Sequence, residues 1–267
     1  MLVSLSPLAP DALEATLANL ALAFPGQSIV VATTDPAPSG GSTFPNLRVT
    51  TYTPSAPAPG GWVLTAAEFL NTWKLMQEHK STACLLLGSE AQSLAPAVLH
   101  ALAAPTLSGS DLTSPRYHLS PRDGLVNSAI LYPTTRALFG TRPRYPLAID
   151  LALSARMAER LATCAQRFTA VNQNGAMIWP ISEAAFAGFT LSEVPAGPRA
   201  LPPPDALDLN PLLTQVAGSF FADIDAKASF WQRARLAYSP KSVAARADAA
   251  PEQPPADTPD VQPMLDS

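Results

Sequence analysis

The 267 residues are 47% hydrophobic and 14% charged, with a mean hydropathy of +0.12, which supplies apolar material for one sizeable core. A net charge of −4 and a pI near 5.3 exclude a dedicated nucleic-acid binder, which needs clustered Lys and Arg to neutralise phosphates. No stretch reaches the ~18 consecutive apolar residues of a membrane span and no basic leader opens the chain, so the expectation is a cytoplasmic protein without a transmembrane segment.

Met1–Leu5 reads as a short strand that begins abruptly, as though its true start lay upstream. Pro10-Asp11 opens a helix with apolar positions at Leu13, Leu17 and Leu20, and Phe24-Pro25-Gly26 ends it. Ser28–Thr33 is a continuous apolar strand of the buried parallel kind. Asp35 and a Pro/Gly/Ser loop follow, then a third strand at Leu47–Tyr52 and a Pro/Gly-rich loop ending at Gly60-Gly61. A helix spans roughly Thr65 to His79, and Thr82–Leu87 is the strongest central strand, stopping at Gly88-Ser89-Glu90. Pro96–Ala103 is a short helix. This alternation predicts a doubly wound sheet with helices on both faces. Such sheets bind ligands beyond the carboxyl ends of their strands, where Asp35, Gly60-Gly61 and Gly88–Glu90 are expected to converge.

The second half is less regular. The turn Ser120–Gly124 precedes a helix-like stretch, Val126–Phe139, that carries Asn127, Tyr132 and Arg136. Pro146–Ser154 is expected to lead into a helix reaching about Cys164; Ala170–Trp179 and Phe186–Val194 read as a strand and a helix returning to the sheet. A helix runs from Pro211 to Ala234, and the Ala/Pro/Asp-rich tail of residues 237–267 is expected to be disordered. Cys84 and Cys164, far apart and flanked by apolar or small residues, read as buried free thiols.

Several segments, in order, resemble glycosyltransferases of the GT-A fold, and among them the mannosylglycerate synthase and glucosyl-3-phosphoglycerate synthase group. Asp111-Leu112-Thr113-Ser114-Pro115-Arg116-Tyr117 follows Asp-Leu-Val-x-Pro-x-Tyr. Asp123-Gly124, Asn127 and the run Tyr132–Gly140 follow the acceptor-side helix. Pro146-Leu147-Ala148-Ile149-Asp150-Leu151-Ala152-Leu153-Ser154 is similar to Pro-Ile-Gly-Gly-Asp-Phe-Gly-Leu-Ser. Gly175-Ala176-Met177-Ile178-Trp179 resembles Gly-Thr-Asp-Ile-Trp, Gly197-Pro198-Arg199 resembles Gly-Pro-Lys, and Gln215–Phe221 resembles a Gln-Val-x-Gly-Thr-Leu-Phe helix. The resemblance implies a mixed, mostly parallel sheet flanked by helices. Its domain covers residues 1–236, with a nucleotide half to about 110 and an acceptor half from about 111. It also implies hexosyl transfer from a nucleoside-diphosphate sugar to a small hydroxylated acceptor; homo-oligomerisation is left open.

GT-A enzymes neutralise the departing diphosphate with a divalent cation, Mg²⁺ or Mn²⁺, held by Asp-x-Asp and often a later His. Here Asp-x-Asp reads Gly88-Ser89-Glu90, the His falls at about Leu201, the acidic position of Gly-Thr-Asp-Ile-Trp is Met177, and the Gly-Lys-Gly loop reads Gly60-Gly61-Trp62. The resemblance therefore leaves Glu90 as the candidate metal ligand. Asp35, Gly60, Gly61, Ser89 and Glu90 are the candidate nucleotide contacts, Arg116, Tyr117 and Arg136 the candidate substrate contacts, and Asp150 the catalytic or substrate-orienting carboxylate. These losses fall on donor activation, so the alternative to a transferase with weak or altered metal dependence is a catalytically inactive homologue acting as a binding or regulatory subunit.

Each candidate also has a structural reading. Glu90 fits a solvated strand end, Asp150 a helix N-cap, Arg116 and Arg136 ion pairs, and Tyr117 and Tyr132 core packing. His79, His100 and His118 show no metal-ligand spacing. Gly-x-Ser-x-Gly, Gly-x-x-x-x-Gly-Lys and Gly-x-Gly-x-x-Gly are all missing from the sequence.

Overall fold

A computed structural model describes residues 1–35, 44–54, 62–119, 124–201 and 209–233. Gly60 and Gly61, the turn residues 120–123 and the tail 237–267 lie outside the described residues. Strands β1 (Leu2–Leu5), β2 (Ile29–Thr33), β3 (Leu47–Thr51), β4 (Ala83–Leu87), β5 (Leu112–Tyr117), β6 (Leu151–Ser154) and β7 (Leu191–Gly197) form one sheet in the order β3-β2-β1-β4-β6-β5-β7. Only β6 runs against its neighbours, β4 and β5; the other pairings are parallel. The sheet is thus mixed and mostly parallel, as expected.

Helices α1 (Pro10–Ala23) and α3 (Pro96–Leu107) cover one face, and α2 (Ala66–Glu78) and α5 (Ala155–Thr169) the other. The alternation of strand side chains decides this. Val3, Leu5, Leu85 and Leu87 pack with Leu13, Leu17, Leu20, Leu99 and Leu102. Leu2, Cys84 and Leu86 turn the other way, onto Phe69, Met76, Met157 and Leu161. A third cluster joins α4 (Tyr132–Phe139), α6 (Pro180–Phe186), α7 (Leu209–Ala226) and α8 (Ala228–Trp231), with Phe139, Met177, Trp179, Val216 and Phe220 buried at its centre. Cys84 and Cys164 are buried and free.

Three expectations are corrected. Leu151–Ser154 is a strand, not the start of a helix, because its apolar run is sandwiched between β4 and β5. The helix begins one residue later, capped by the Ser154 hydroxyl, which accepts from the Met157 amide at 3.2 Å; Asp150 is therefore not a helix cap. Ala170–Trp179 is a chain of turns, apart from a single bridge between Met177 and Thr65. The stretch expected to be a helix from Phe186 instead supplies β7, and the helix precedes it, starting at Pro180, where proline's missing N–H costs nothing. Leu112–Tyr117, to which the sequence assigns no element, is a strand that carries Pro115; β6 pairs only with Leu112 and Thr113, so the proline lies past that ladder.

Candidate functional site

The topology gathers the ends of six strands at one edge. The parallel strands β1, β2, β4, β5 and β7 end there, and the reversed strand β6 begins there. Gly88 leaves β4, Tyr117 closes β5, Asp150 precedes β6, and Gly197 ends β7 opposite Tyr117. Gly197 has φ +62°, a turn that residues with a Cβ adopt at a cost, and it redirects the chain so that Arg199 enters the edge.

Asp150 is fully buried, and both its oxygens are engaged. Oδ1 accepts from the Gly88 amide at 3.1 Å and Arg199 Nη2 at 3.1 Å; Oδ2 accepts from Tyr117 Oη at 2.6 Å and Arg199 Nε at 2.8 Å. The Asp150 and Arg199 side chains have 0% exposure, so this bidentate pair is wholly removed from water. Arg199 goes on to donate through Nη2 to the Ser89 carbonyl at 2.7 Å, and through Nη1 to Ser93 Oγ and the Ala200 carbonyl, each at 2.9 Å, and to the Glu90 carbonyl. Burial opposes the guanidinium charge, but Asp150 outweighs it and raises the Arg199 pKa further. Burial, and then the Asp150 charge, push the Tyr117 hydroxyl well above its ordinary range, so it donates to Asp150 as a neutral phenol.

Gly88 is glycine for lack of space. Its backbone is not in the left-handed region, yet a Cβ added there would stand 2.8 Å from Ile149 Cβ and 3.0 Å from its Cγ1 and Cδ1. Ile149 occupies the position of a glycine in the Pro-Ile-Gly-Gly-Asp segment, so the aliphatic side chain fills the space beside Gly88 that a carboxylate would need. Glu90 is exposed, with φ 61° and ψ 24°, and its Oε2 accepts from Gln92 Nε2 at 2.7 Å. Its carbonyl, not its carboxylate, faces the buried cluster. Ser89 likewise contributes its carbonyl. Met177 is core, and Leu201 is half-buried. Among the described residues no three His, Cys, Asp or Glu side chains form a metal-binding group. The oxygens that converge at this edge are spent on a guanidinium, and the donor set does not fit a resident divalent ion.

The remaining sequence candidates separate. Asp35 Oδ2 accepts from the Leu8 amide at 3.0 Å and from Thr33 Oγ1 at 3.4 Å, tying the end of β2 to the turn after β1. Arg116 is exposed and lies near Glu193 of β7, whose carboxyl pKa burial raises against the Arg144 amide and the Arg116 charge. Arg136 is exposed and donates to Tyr132 Oη at 2.6 Å, one helical turn away. The structure thus unites Tyr117, Asp150 and the Gly88–Glu90 loop, while Arg116 and Arg136 are exposed, the first near Glu193 and the second on Tyr132. Asp111 serves the fold: burial pushes its pKa up, but hydrogen bonds from Arg156, Thr190 and Ser154 prevail and hold it at about 2. Sequence reasoning missed Arg199, which stood only as a stand-in for the lysine of Gly-Pro-Lys. The signal was its arginine fork in a sequence that had lost a carboxylate at Gly88.

A second polar group sits at the end of β1. Ser4, Ser6, Thr34, Tyr52, Glu68 and Asn71 line a pocket of about 30 Å³. Glu68, in the first turn of α2, accepts from Ser6 Oγ at 3.2 Å and the Thr65 amide at 2.7 Å. Burial raises its pKa to about 7, against those hydrogen bonds. Because the folded pKa exceeds the ordinary 4.5, its contribution to stability is complete below pH ~4.5 and lost as pH rises through ~7. The stability of the wild type relative to Glu68→Gln is expected to fall by on the order of 2–3 kcal/mol between those limits. Urea unfolding of both proteins across that range checks it, and a pH-independent difference would show an ordinary carboxyl.

A larger cavity of about 640 Å³ lies between α5, α6 and α7, and no partner of Asp150 lines it. Four of its charged residues are tied together: Lys227 Nζ meets Glu183 at 2.7 Å and also Asp223, and Arg160 Nε meets Glu183 at 3.0 Å.

The sheet order, the reversed β6 and the two helical layers define the GT-A fold of nucleotide-diphospho-sugar transferases. No family model and no curated protein matches the sequence. Among solved structures, the chain is similar to glucosyl-3-phosphoglycerate synthase from Mycobacterium tuberculosis in complex with Mn²⁺, UDP-glucose and phosphoglyceric acid. That match has a TM-score of 0.50 at 14% identity, covering 85% of this chain and 79% of that one. The same enzyme with Mn²⁺ and UDP-glucose matches with a TM-score of 0.48 at 15% identity, over 83% of this chain and 77% of that one. At this identity the likeness is one of fold, and it agrees with the resemblance read from Asp111–Ser154.

Proposed function

We propose that this chain is a GT-A-fold protein that binds a nucleoside-diphosphate sugar at the carboxyl edge of its sheet without cation-assisted hexosyl transfer, and that it acts as a binding or regulatory subunit in the cytoplasm. Residues 1–236 form its domain, and the polar side chains Ser6, Tyr52 and Glu68 at the end of β1 line part of the edge offered to the nucleotide. The observation that carries this reading is the state of Asp150. A general base must reach an acceptor hydroxyl, whereas this carboxylate has no exposure and accepts four hydrogen bonds from Gly88, Tyr117 and Arg199.

One observation favours transfer of a hexose to a small hydroxylated acceptor. Asp150 and Tyr117 sit together at the correct edge, with Arg116 and Arg136 exposed and available to an anionic acceptor such as the phosphoglyceric acid bound by the neighbour. That route requires Arg199 to release Asp150. Calorimetric titration with UDP and GDP, in EDTA and in Mn²⁺, separates the readings. Binding of equal strength in both, with no UDP released from UDP-glucose in the presence of phosphoglycerate, is expected. Mn²⁺-enhanced binding with UDP release would establish the transferase, and no binding at millimolar nucleotide would overturn the nucleotide reading altogether.

A further inference from the structure

We infer that Arg199 is a resident cation: its guanidinium takes the electrostatic and bridging role of a divalent ion at this edge and holds the Gly88–Glu90 loop to Asp150. Six oxygens converge on it: Asp150 Oδ1 and Oδ2, the carbonyls of Ser89, Glu90 and Ala200, and Ser93 Oγ. Carboxylate and carbonyl oxygens in that number are what a hard cation collects. A guanidinium serves the same acceptors through its fork of five N–H donors and stays charged at any working pH.

Charge balance accounts for the accompanying residues. One buried carboxylate, Asp150, matches one buried monocation, and the pair is neutral. A divalent ion against that single carboxylate would leave a net positive charge out of water, which is costly. Additional carboxylates would have to come from positions such as 88, where Ile149 occupies the space, or from Glu90, whose side chain is turned to solvent and bonded to Gln92. Gly88, Ile149 and Arg199 therefore form one consistent set. Because the cation is covalently part of the chain, it does not exchange with solvent or respond to chelators. The consequence that nucleotide binding is indifferent to EDTA rests on the function proposed above; the cation assignment itself does not.

The test uses Mn²⁺ alone, followed by the electron paramagnetic resonance signal of the free ion and by thermal unfolding. Wild-type protein is expected to leave the Mn²⁺ signal and its own midpoint unchanged. Arg199→Ala is expected to melt roughly 10 °C lower. It should also take up one Mn²⁺ with a dissociation constant on the order of 10⁻⁴–10⁻³ M, which recovers part of the lost midpoint. Arg199→Lys, which keeps a positive charge, should not bind Mn²⁺, and adding Asp150→Asn to Arg199→Ala should abolish uptake. If Arg199→Ala is insoluble, refolding of Arg199→Gln with Mn²⁺ and with EDTA replaces it, and a folded yield only with Mn²⁺ supports the assignment. Saturable Mn²⁺ uptake by the wild type that Asp150→Asn removes would overturn it, as would a folded Arg199→Ala that ignores Mn²⁺ or an equal yield of Arg199→Gln in both buffers. None of these readouts involves nucleotide, so the nucleotide reading and the cation assignment fail separately.

Discussion

Asp150→Ala is expected to lower the unfolding free energy by about 3–5 kcal/mol, the usual effect of stranding one member of a buried ion pair. The truncated side chain leaves Arg199 with 0% exposure and no counter-charge, and it removes the acceptor of the Tyr117 hydroxyl and the Gly88 amide. Tyr117→Phe removes only a donor and is expected to cost about 1–2 kcal/mol. Asp150→Leu combined with Arg199→Met should recover part of the loss, since both charges leave together. It should not recover all of it, because the Ser89, Glu90 and Ala200 carbonyls lose their donor. Urea midpoints with unchanged slopes measure this series. A cost for Asp150→Ala no larger than that of Tyr117→Phe would mean that the pair is dispensable and would remove the main support for a locked edge.

The second large effect concerns the space beside Gly88. Gly88→Asp is expected to destabilise by on the order of 3–5 kcal/mol, combining a steric clash with an added carboxylate next to Asp150. Gly88→Ala isolates the clash, because the contact at 2.8 Å is with the branched Ile149 Cβ rather than with a flexible chain end; about 1–3 kcal/mol is expected. Ile149→Gly alone empties a buried site and costs about 2–5 kcal/mol. In the Ile149→Gly background, however, Gly88→Ala should cost close to nothing, giving a coupling of roughly 1–3 kcal/mol in a double-mutant cycle. Additive effects would show that Ile149 yields to a side chain at position 88, and that the lost carboxylate was not excluded by packing.

The elements that could be read in advance were those with an unambiguous period or stop. The run ending in Leu85-Leu86-Leu87 before Gly88 could only be a buried strand, and Pro10 and Pro96 mark true helix starts. Misreadings came where local composition and tertiary placement disagree. Ala148–Leu153 has the composition of a helix, but its last residues lie between two strands, where side chains on both faces are buried. Strand β5 is not assigned from sequence at all: its residues 112–117 carry a weaker apolar pattern than Leu85–Leu87 and include Pro115, which lies past the β6 ladder. Arg116 and Arg136 matched the acceptor-side segments in spacing, yet their side chains settle near Glu193 and on Tyr132 instead of on Asp150.

The sequence by itself determined the alternation that builds the sheet and the chemistry missing from its edge: no carboxylate at Gly88, no imidazole at Leu201 and no acid at Met177. Those are statements about residue identity, and identity can be read along a chain. What replaced the missing chemistry was decided only by the tertiary structure. Arg199 is 49 residues from Asp150 and 109 from Glu90, and no spacing rule connects them. They meet because β6 runs backward into the edge where β4, β5 and β7 end, and because Gly197 turns the chain inward. A guanidinium whose five donors are all satisfied by one set of oxygens is a property of that convergence and of no single segment.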